Sequence, residues 1–351
     1  MRAAIFEGPG KLVVRDVPVE KCGENDIIIK VHACGICGSD IRNLRTGLKD
    51  GIERQIMGHE FSGTVIETGK GVSRYRIGDR VAVAPDVSCG VCYYCRRGWV
   101  NLCMNHRMIG THWPGGFAEL CHFPGYVLDH GMVHKVPDGV SLRDAALAEP
   151  ASSVIASQES AGVTLGETLL IIGSGPIGCL HIEIGRARGA SRIIVAGRRR
   201  LLQAEQFGPD LLIDARTQDV VAEVLRATDG MGADVAICAN PDVSTQKIAV
   251  EAVRKRGRVV LFGGVPKDHP MTSLNSNLIH YNEISVIGSF SYAAFVHEQA
   301  LLAIRSRQIQ PQKYFNFSVD LDHIVDGFSA AAEGKVLKPL VFPGGEKEQS
   351  V

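Results

Sequence analysis

The sequence predicts an α/β protein built from two domains. Its 351 residues exceed what a single hydrophobic core usually organises, and 45% of them are hydrophobic, enough for a core in each domain. Residues 1–85 contain short β-branched runs separated by turns, whereas residues from 167 onward alternate apolar runs with helical stretches. The first pattern favours a compact β-rich unit, and the second favours a doubly wound parallel sheet.

The overall composition excludes several classes of partner. Lys plus Arg and Asp plus Glu both number 38, so the formal charge is zero and no net field favours nucleic acid or an acidic membrane surface. Residues 1–7 lack the apolar run of a signal peptide, and no apolar run approaches the roughly 20 residues that span a bilayer. We therefore expect a cytoplasmic protein that acts on a small molecule, without a nucleic-acid or membrane partner.

The β-rich part contains several short segments with strand character. These segments are residues 11–15, 26–31, 61–67 and 78–83, with Gly69 and Gly71 as turn residues. Such a pattern suggests a small barrel. Cys37 and His59 are then expected on loops at its rim, where functional residues tend to collect.

The adjacent residues His59 and Glu60 offer a nitrogen and a carboxylate to one metal ion. A pair of this kind alone also occurs in solvated turns, but Cys37 lies upstream in a glycine-rich turn and Glu149 lies downstream, just before Pro150. Cysteine, histidine and glutamate form the ligand set of a catalytic zinc, which keeps one position open for water or substrate.

A second group of candidate metal ligands, made of four cysteines, lies in a predicted lobe at about residues 86–105. Its spacing, Cys-x2-Cys-x2-Cys-x7-Cys, allows four thiolates to surround one zinc ion in a closed structural site. Two disulfides or an iron–sulfur cluster are the alternatives; disulfides fit a cytoplasmic chain poorly, and the cluster is possible from spacing alone. The predicted ligands are Cys89, Cys92, Cys95 and Cys103.

A glycine motif marks the start of the second domain. The apolar run 167–172 is followed by Gly-x-Gly-x-x-Gly, a helical stretch at 179–188 and a second strand at 192–196. In this context the glycines permit a tight turn that places a pyrophosphate on backbone amides at the helix N-terminus, although a loop without a ligand is the alternative. The predicted cofactor-binding residues here are Gly173, Gly175, Pro176, Ile177 and Gly178.

Further strands follow at regular spacing and predict a sheet of about six strands. They are residues 211–214, 234–238, 258–262 and 284–287, with helices expected at 220–227 and 246–256. The carboxyl ends of such strands face the cofactor, so Val265, Ser289 and Phe290, which follow two of them, are candidates for its binding.

The end of the second strand favours NADP over NAD. An NAD enzyme usually carries an acid there, but Gly197 stands in its place and Arg198, Arg199 and Arg200 follow. Arginine matches a 2′-phosphate by charge-assisted hydrogen bonds. An exposed basic helix start is the alternative interpretation.

Taken together, these residues carry a family resemblance. Residues 37–40, residues 58–63, the four-cysteine lobe and the glycine motif lie in the order seen in zinc-containing medium-chain dehydrogenases. The chain resembles this family over nearly its whole length. Within the family it is most similar to sorbitol dehydrogenase and related polyol dehydrogenases, a likeness carried by Glu60 beside His59 and by residues 148–150 and 288–292.

The resemblance implies a fold and an assembly. It implies a GroES-like β-barrel catalytic domain at residues 1–152, a Rossmann domain at 153–287, and a return to the catalytic domain at 288–351. The active site is implied in the cleft between the domains. A homo-oligomer, either a dimer or a tetramer, is usual in this branch.

The resemblance also implies roles for individual residues. Cys37, His59 and Glu60 are the implied zinc ligands, and Glu149 is a fourth ligand or lies near the metal-bound water. Zinc would polarise the substrate oxygen and so ease hydride exchange with the nicotinamide. Ser39 matches the hydroxyl that accepts the alcohol proton. Where the family often has a relay histidine this chain has Arg42, which stays protonated and carries protons poorly.

The substrate is a polyol, sugar or cyclitol by this resemblance, and an amino alcohol of the threonine type is the runner-up. A catalytically silent cofactor sensor should have lost zinc ligands, and a zinc-independent quinone reductase should lack both metal sites. The chain keeps both sets of ligands. Candidates for lining the substrate pocket, each of which could equally be packing, are Asn43, His112, Trp113 and Tyr292.

Overall fold

The computed structural model describes residues 1–345 and divides into two units. Unit 1 comprises Met1–Ser152 together with the chain from Tyr292 onward, and unit 2 comprises Ser153–Ser291. Residues 346–351, the end of the predicted return segment, lie outside the described residues.

The strands are distributed along the whole described chain and are numbered in chain order. They are β1 (Arg2–Phe6), β2 (Leu12–Asp16), β3 (Ile27–Gly35), β4 (Gln55–Ile56), β5 (Glu60–Thr68), β6 (Arg80–Ala84), β7 (Asp86–Val87), β8 (Arg107–Met108), β9 (Leu120–Phe123), β10 (Met132–Lys135), β11 (Thr168–Ile172), β12 (Arg192–Gly197), β13 (Leu211–Asp214), β14 (Ala233–Cys238), β15 (Val253–Leu261), β16 (Ser285–Gly288), β17 (Phe317–Val319) and β18 (Pro339–Val341).

The helices lie mainly in unit 2 and in the last part of unit 1. They are α1 (Gly38–Thr46), α2 (Gly125–His130), α3 (Leu142–Ala145), α4 (Ala148–Ser160), α5 (Pro176–Ala187), α6 (Leu201–Glu205), α7 (Val220–Ala227), α8 (Ser244–Ala252), α9 (Ser276–Tyr281), α10 (Ala294–Arg305) and α11 (Ile324–Glu333). Short 3₁₀ turns occupy Lys49–Gly51, Cys95–Arg97, Val100–Leu102 and Pro311–Lys313. Within residues 1–345, every helix is too short or too polar to span a membrane.

Unit 1 is built mainly from strands. Its main sheet has the order β10-β6-β5-β3-β18-β17, and β9 also pairs with β3. A smaller sheet has the order β2-β1-β4. The side chains of Phe6, Ile29, Phe61, Phe117 and Phe123 form part of its buried core. The prediction of a β-rich first unit is confirmed, and the chain returns to it through β17 and β18.

Unit 2 is a six-stranded parallel sheet with the order β13-β12-β11-β14-β15-β16. The chain starts at the centre with β11, moves to one edge, and then crosses to build the other half. This strand order confirms the predicted doubly wound sheet. The order reverses between β11 and β14, and ligands of such sheets bind at the carboxyl ends of the strands at this point.

One predicted helix in unit 2 is too long. The pattern favoured a helix over residues 246–256, but α8 ends at Ala252 and β15 begins at Val253. Val253 pairs with Ala233 of β14, and Arg256 has a left-handed φ of 57° that interrupts a helix. Pairing with a neighbouring strand therefore outweighs local helix propensity here.

Candidate active site and cofactor loop

Cys37, His59 and Glu60 come together in unit 1, with their ligand atoms within 4.8 Å of one another. Strand pairing explains this, because Gly35 at the end of β3 lies opposite Glu60 at the start of β5. Cys37 then precedes α1, and His59 directly precedes β5. Gly58 has a φ of 90°, so the chain enters β5 through a turn that favours glycine.

Asp40 orients two of these residues at once, a role that the sequence reasoning missed. One carboxylate oxygen accepts a hydrogen bond from the backbone N–H of Cys37 at 2.9 Å, and the other lies 3.3 Å from Nδ1 of His59. Burial opposes charge on the ring, but the Asp40 carboxylate outweighs it and raises the pKa of His59. Nε2 is left facing Ser39, whose Oγ lies 3.4 Å away. The spacing Cys-x-x-Asp, in which the acid caps the start of the helix, is the sequence signal that indicates this role of Asp40.

Lys338 is the second residue that sequence reasoning missed. Its Nζ lies 2.5 Å from Oε2 of Glu60, and the exposed fractions of the two side chains are 4% and 0%. The other carboxylate oxygen, Oε1, is buried and has no hydrogen-bond partner in the described part of the chain. No local motif around Lys338 signals this contact.

Glu149 lies outside the group formed by Cys37, His59 and Glu60. It stands in the first turn of α4, is buried, and accepts a hydrogen bond from the hydroxyl of Tyr292 at 2.9 Å. Burial raises the pKa of Glu149, His59 opposes this rise and the nearby Glu60 carboxylate adds to it, and the net result is a pKa of about 7. A carboxyl group with this pKa changes its charge near neutral pH.

The donor set fits a zinc ion with an open coordination position. One sulfur, one imidazole nitrogen and one carboxylate oxygen are the donors that zinc accepts, and three protein ligands leave a position free. Oε1 of Glu60, which is buried and lacks a hydrogen-bond partner among residues 1–345, suits a cation in this position, because buried polar atoms are normally paired.

The other pocket candidates have structural contacts of their own. Nδ1 of His112 accepts a hydrogen bond from the backbone N–H of Met108 at 2.9 Å, and its Nε2 pairs with Asp50 at 2.9 Å. Trp113 stacks against Tyr126 with ring centroids 6.0 Å apart. Asn43 is half-buried on α1, one turn after Ser39.

The four cysteines of the predicted lobe also come together, with their sulfur atoms within 4.8 Å of one another. The backbone N–H groups of Cys89 and Asn105 donate to Sγ of Cys103, at 3.2 and 3.3 Å. Backbone N–H groups, first that of Cys95, lower the pKa of Cys92 to about 6 and so favour a thiolate. All ten cysteines of the sequence are free of disulfides. Four converging thiols suit a closed tetrahedral zinc site.

The glycine motif forms the turn between β11 and α5. Gly173 has a φ of 133°, and Gly175 caps α5, with Pro176 at the helix start. A Cβ on Gly178 would overlap the carbonyl oxygen of Gly173, so the first turn of α5 packs on the strand end only with glycine there. Ile177 follows in the first turn of the helix. This arrangement presents backbone amides to an anion at the N-terminus of α5.

The three arginines after β12 have different surroundings. Arg198 is 61% exposed and forms an ion pair of 2.8 Å with Asp242, whereas Arg199 is exposed. Arg200 is half-buried, and its Nη1 lies 3.6 Å from the position of a Cβ on Gly175. At Gly197 a Cβ would overlap Oγ of Ser174 and lie 2.6 Å from its Cβ. The site therefore leaves no room for an acidic side chain at the end of β12 while Ser174 is present.

The remaining cofactor candidates follow the ends of β15 and β16, as the sequence suggested. Val265 is half-buried on the loop after β15. Ser289 is half-buried and Phe290 is 59% exposed, directly after β16. All three follow carboxyl ends of parallel strands, the edge at which such sheets bind ligands.

Known proteins share both halves of this architecture. Residues 23–138 match the alcohol dehydrogenase GroES-like domain family, and residues 176–305 match the zinc-binding dehydrogenase family. The sorbitol dehydrogenase of Bombyx mori is 32% identical over 347 residues, which cover 97% of each chain. The D-arabitol-phosphate dehydrogenase of Enterococcus avium is 30% identical and covers 99% of each chain.

A solved structure gives the same result for the fold. A protein from Sinorhizobium meliloti 1021, described as a zinc-binding dehydrogenase and bound to NADP, superposes with a TM-score of 0.90 at 32% identity. The alignment covers 97% of this chain and 99% of that one. With the two family matches and the full-length relatives, this confirms that the chain belongs to the zinc-containing medium-chain dehydrogenase family and is an oxidoreductase of the sorbitol dehydrogenase type.

Proposed function

We propose that the chain is a zinc-dependent dehydrogenase that interconverts a secondary alcohol and a ketone of a polyol, sugar or cyclitol, with NADP(H) as the hydride carrier. The observation that carries this proposal is the convergence of one sulfur, one imidazole and one carboxylate at Cys37, His59 and Glu60. The named activities of the Bombyx mori and Enterococcus avium relatives support a polyol substrate.

Each residue around the proposed metal has a distinct task. A bound zinc would supply Lewis acidity toward the substrate oxygen. Ser39, whose Oγ lies 3.4 Å from Nε2 of His59, would accept the alcohol proton, and Asp40 holds Cys37 and His59 in one orientation. Glu149, with a pKa of about 7, is suited to hold or release a proton near neutral pH.

We infer two zinc ions per chain, one catalytic and one structural. The sulfur atoms of Cys89, Cys92, Cys95 and Cys103 would hold the structural ion. Four thiolate ligands leave no open position, so this ion stabilises the lobe and takes no part in the reaction.

The preference for NADP(H) is supported by two features at the end of β12. Gly197 provides no carboxylate to repel a 2′-phosphate, and the guanidinium groups of Arg198, Arg199 and Arg200 follow it. The Sinorhizobium protein was solved with NADP. NAD(H) is the less favoured cofactor of this proposal.

We also infer a homo-oligomer, a dimer or a tetramer, in a reducing cytoplasmic compartment. The edge strand β16 exposes Val286, and the neighbouring Tyr281 and Phe290 are 76% and 59% exposed. Exposed sheet edges of this kind readily pair with a second copy.

The ten disulfide-free cysteines support a reducing compartment.

An initial-rate screen of polyols, ketoses, inositols and amino alcohols, each with NADP(H) and NAD(H), tests this function. We expect turnover of a polyol, sugar or cyclitol that is abolished in the Cys37→Ser protein. Turnover only of amino alcohols would point to a threonine-type dehydrogenase. Absence of turnover with every substrate, in protein that retains its metal, would contradict the proposal.

A further inference from the structure

Lys338 carries a buried positive charge that the proposed reaction does not use. Its side chain is 4% exposed, and its Nζ lies 2.5 Å from Oε2 of Glu60, which is fully buried. Burying an ammonium group is costly unless a partner of opposite charge compensates it. Glu60 is that partner, and it is also one of the proposed metal ligands.

The strands around this pair leave space for it. Gly35 of β3 lies opposite Glu60 of β5 on one side and opposite Leu340 of β18 on the other. A Cβ on Gly35 would overlap Oε2 of Glu60 and lie 3.1 Å from Cε of Lys338. Glycine at this position therefore allows the carboxylate and the ammonium to meet inside the sheet.

We propose that Lys338 is a positioning residue for the metal centre. It holds Oε2 of Glu60 and thereby leaves Oε1 as the single oxygen donated to the ion. Neither carboxylate oxygen of Glu60 has a hydrogen-bond partner by geometry among residues 1–345, but Oε2 forms the ion pair with Lys338, so Oε1 is the oxygen that remains for the ion. The inference rests on the proposed metal site of Cys37, His59 and Glu60. Outer contacts of this kind fix a ligand's orientation, and their loss typically weakens metal binding roughly 10- to 100-fold.

Cobalt(II) substitution provides the test, because the visible spectrum of cobalt reports its coordination. The difference between the spectra of the wild type and the Cys37→Ser protein isolates the proposed catalytic site from the four-cysteine site. The Lys338→Met protein is then compared with the wild type by this difference spectrum and by competition with a chelator. Lys135→Met is the matched control, because Lys135 pairs with Asp79 and is 55% exposed.

We expect Lys338→Met to change the difference spectrum and to raise the dissociation constant of the metal roughly 10- to 100-fold, while Lys135→Met changes neither. In a Glu60→Gln background, the further effect of Lys338→Met should be no more than about twofold, because Lys338 acts through the Glu60 carboxylate. An equal effect in both backgrounds would show that Lys338 only stabilises the fold, and an unchanged single variant would overturn the proposal.

Gly35→Ala gives an independent test should Lys338→Met fail to fold. It keeps both charges but displaces Oε2, so the same spectral change and loss of affinity are expected. A folded Gly35→Ala protein with an unchanged spectrum and affinity would overturn the positioning role. A wild-type spectrum that does not depend on Cys37 at all would instead contradict the proposed metal site itself.

Discussion

The hydroxyl of Tyr292 donates a hydrogen bond of 2.9 Å to Oε1 of Glu149, and both side chains are buried. Burial raises the pKa of Glu149, whereas this hydrogen bond favours the ionised carboxylate and opposes the rise, and the net pKa is about 7. Together with His59, the phenol limits the effect of burial and keeps this acid titratable near neutral pH. Tyr292, which the sequence suggested as a substrate contact, has a hydroxyl that is already engaged.

Replacing Tyr292 by phenylalanine should raise the pKa of Glu149 further. A hydrogen bond to a charged group contributes about 1.5–3 kcal/mol, so a shift of about one unit or more is expected. The acidic limb of the pH profile of kcat/KM should therefore move to higher pH. Tyr281→Phe, at a position that is 76% exposed, is the control. If the acidic limb of the kcat/KM profile does not move in the Tyr292→Phe protein, this hydrogen bond has no influence on the group that limits catalysis at low pH.

Metal analysis of the purified protein should find two zinc ions per chain. Cys37→Ser should lose one zinc and the activity but remain folded, because its site is open and does not close a lobe. Cys95→Ser should lose the other ion and lower the melting temperature, because a closed metal site contributes to folding. Cys22→Ser, outside both groups of metal-ligand residues, should retain both ions. One zinc in the wild type, or activity in Cys37→Ser, would refute the assignment.

The cofactor preference should appear in kcat/KM for NADP(H) against NAD(H). Truncating the arginine that contacts the 2′-phosphate should cost about 1.5–3 kcal/mol, which corresponds to a roughly ten- to 150-fold loss of NADPH affinity. NADH affinity should be unaffected, and the preference should shrink at high salt. Alanine variants of Arg198, Arg199 and Arg200 identify the contact, and Arg192→Ala, at the other end of β12, is the control.

Reversal of that preference needs three substitutions. Gly197→Asp with Arg198→Ala would supply a carboxylate for the ribose of NAD and remove a cation, but an added Cβ at Gly197 overlaps Ser174. Ser174→Gly removes that overlap, so the triple variant should prefer NAD(H). Equal or better kcat/KM with NAD(H) in the wild type would instead show that the arginines are a solvated helix start.

Two buried histidines should make the protein sensitive to acid. Burial lowers the pKa of His181 in unit 2 to about 3, and burial together with the nearby His134 lowers the pKa of His297 in unit 1 to about 3. The unfolded chain binds these protons near pH 6.5, so stability is present above that pH and falls as pH decreases toward 3. At pH 5 each of these histidines should lower the free energy of unfolding by about 2 kcal/mol relative to neutral pH.

Melting temperatures measured between pH 4 and 8 check this prediction. His181→Gln and His297→Gln should each flatten the fall of the melting temperature on the acid side. His323→Gln is the control, because Asp320 raises the pKa of the exposed His323 and its contribution has the opposite sign. An unchanged slope in both buried-site variants would assign the acid sensitivity to other groups.

How far the sequence predicts the site depends on how local each interaction is. Cys37, His59, Glu60 and the four cysteines could be proposed because zinc requires these donor types and their spacing is visible in the chain. The six-strand sheet was predictable from regular apolar runs. Asp40 lies in the same short stretch as Cys37, residues 37–40, but its contact with His59 depends on the pairing of β3 with β5.

Interactions between distant segments could not be read in this way. Lys338 reaches Glu60 only because β18 pairs with β3, and no feature of its own segment shows this. The overlap at Gly197 is another example, since it depends on how closely β12 approaches Ser174. The end of α8 was misplaced for the same reason, because strand pairing at Val253 outweighs propensity. Packing distances, rather than residue types, carry this information.

Unit 1 is discontinuous in sequence, and this affects the order in which it can be completed during translation. Met1–Ser152 is synthesised first, then the contiguous unit 2, and only afterwards the segment with β17, Lys338 and β18. At about 5–20 residues per second, the ribosome adds Lys338 roughly 10–40 s after Ser152. Until then the ammonium of Lys338 is not available to Glu60. An ion that reached Cys37 and His59 on the ribosome would therefore meet a different ligand environment from that of the finished enzyme.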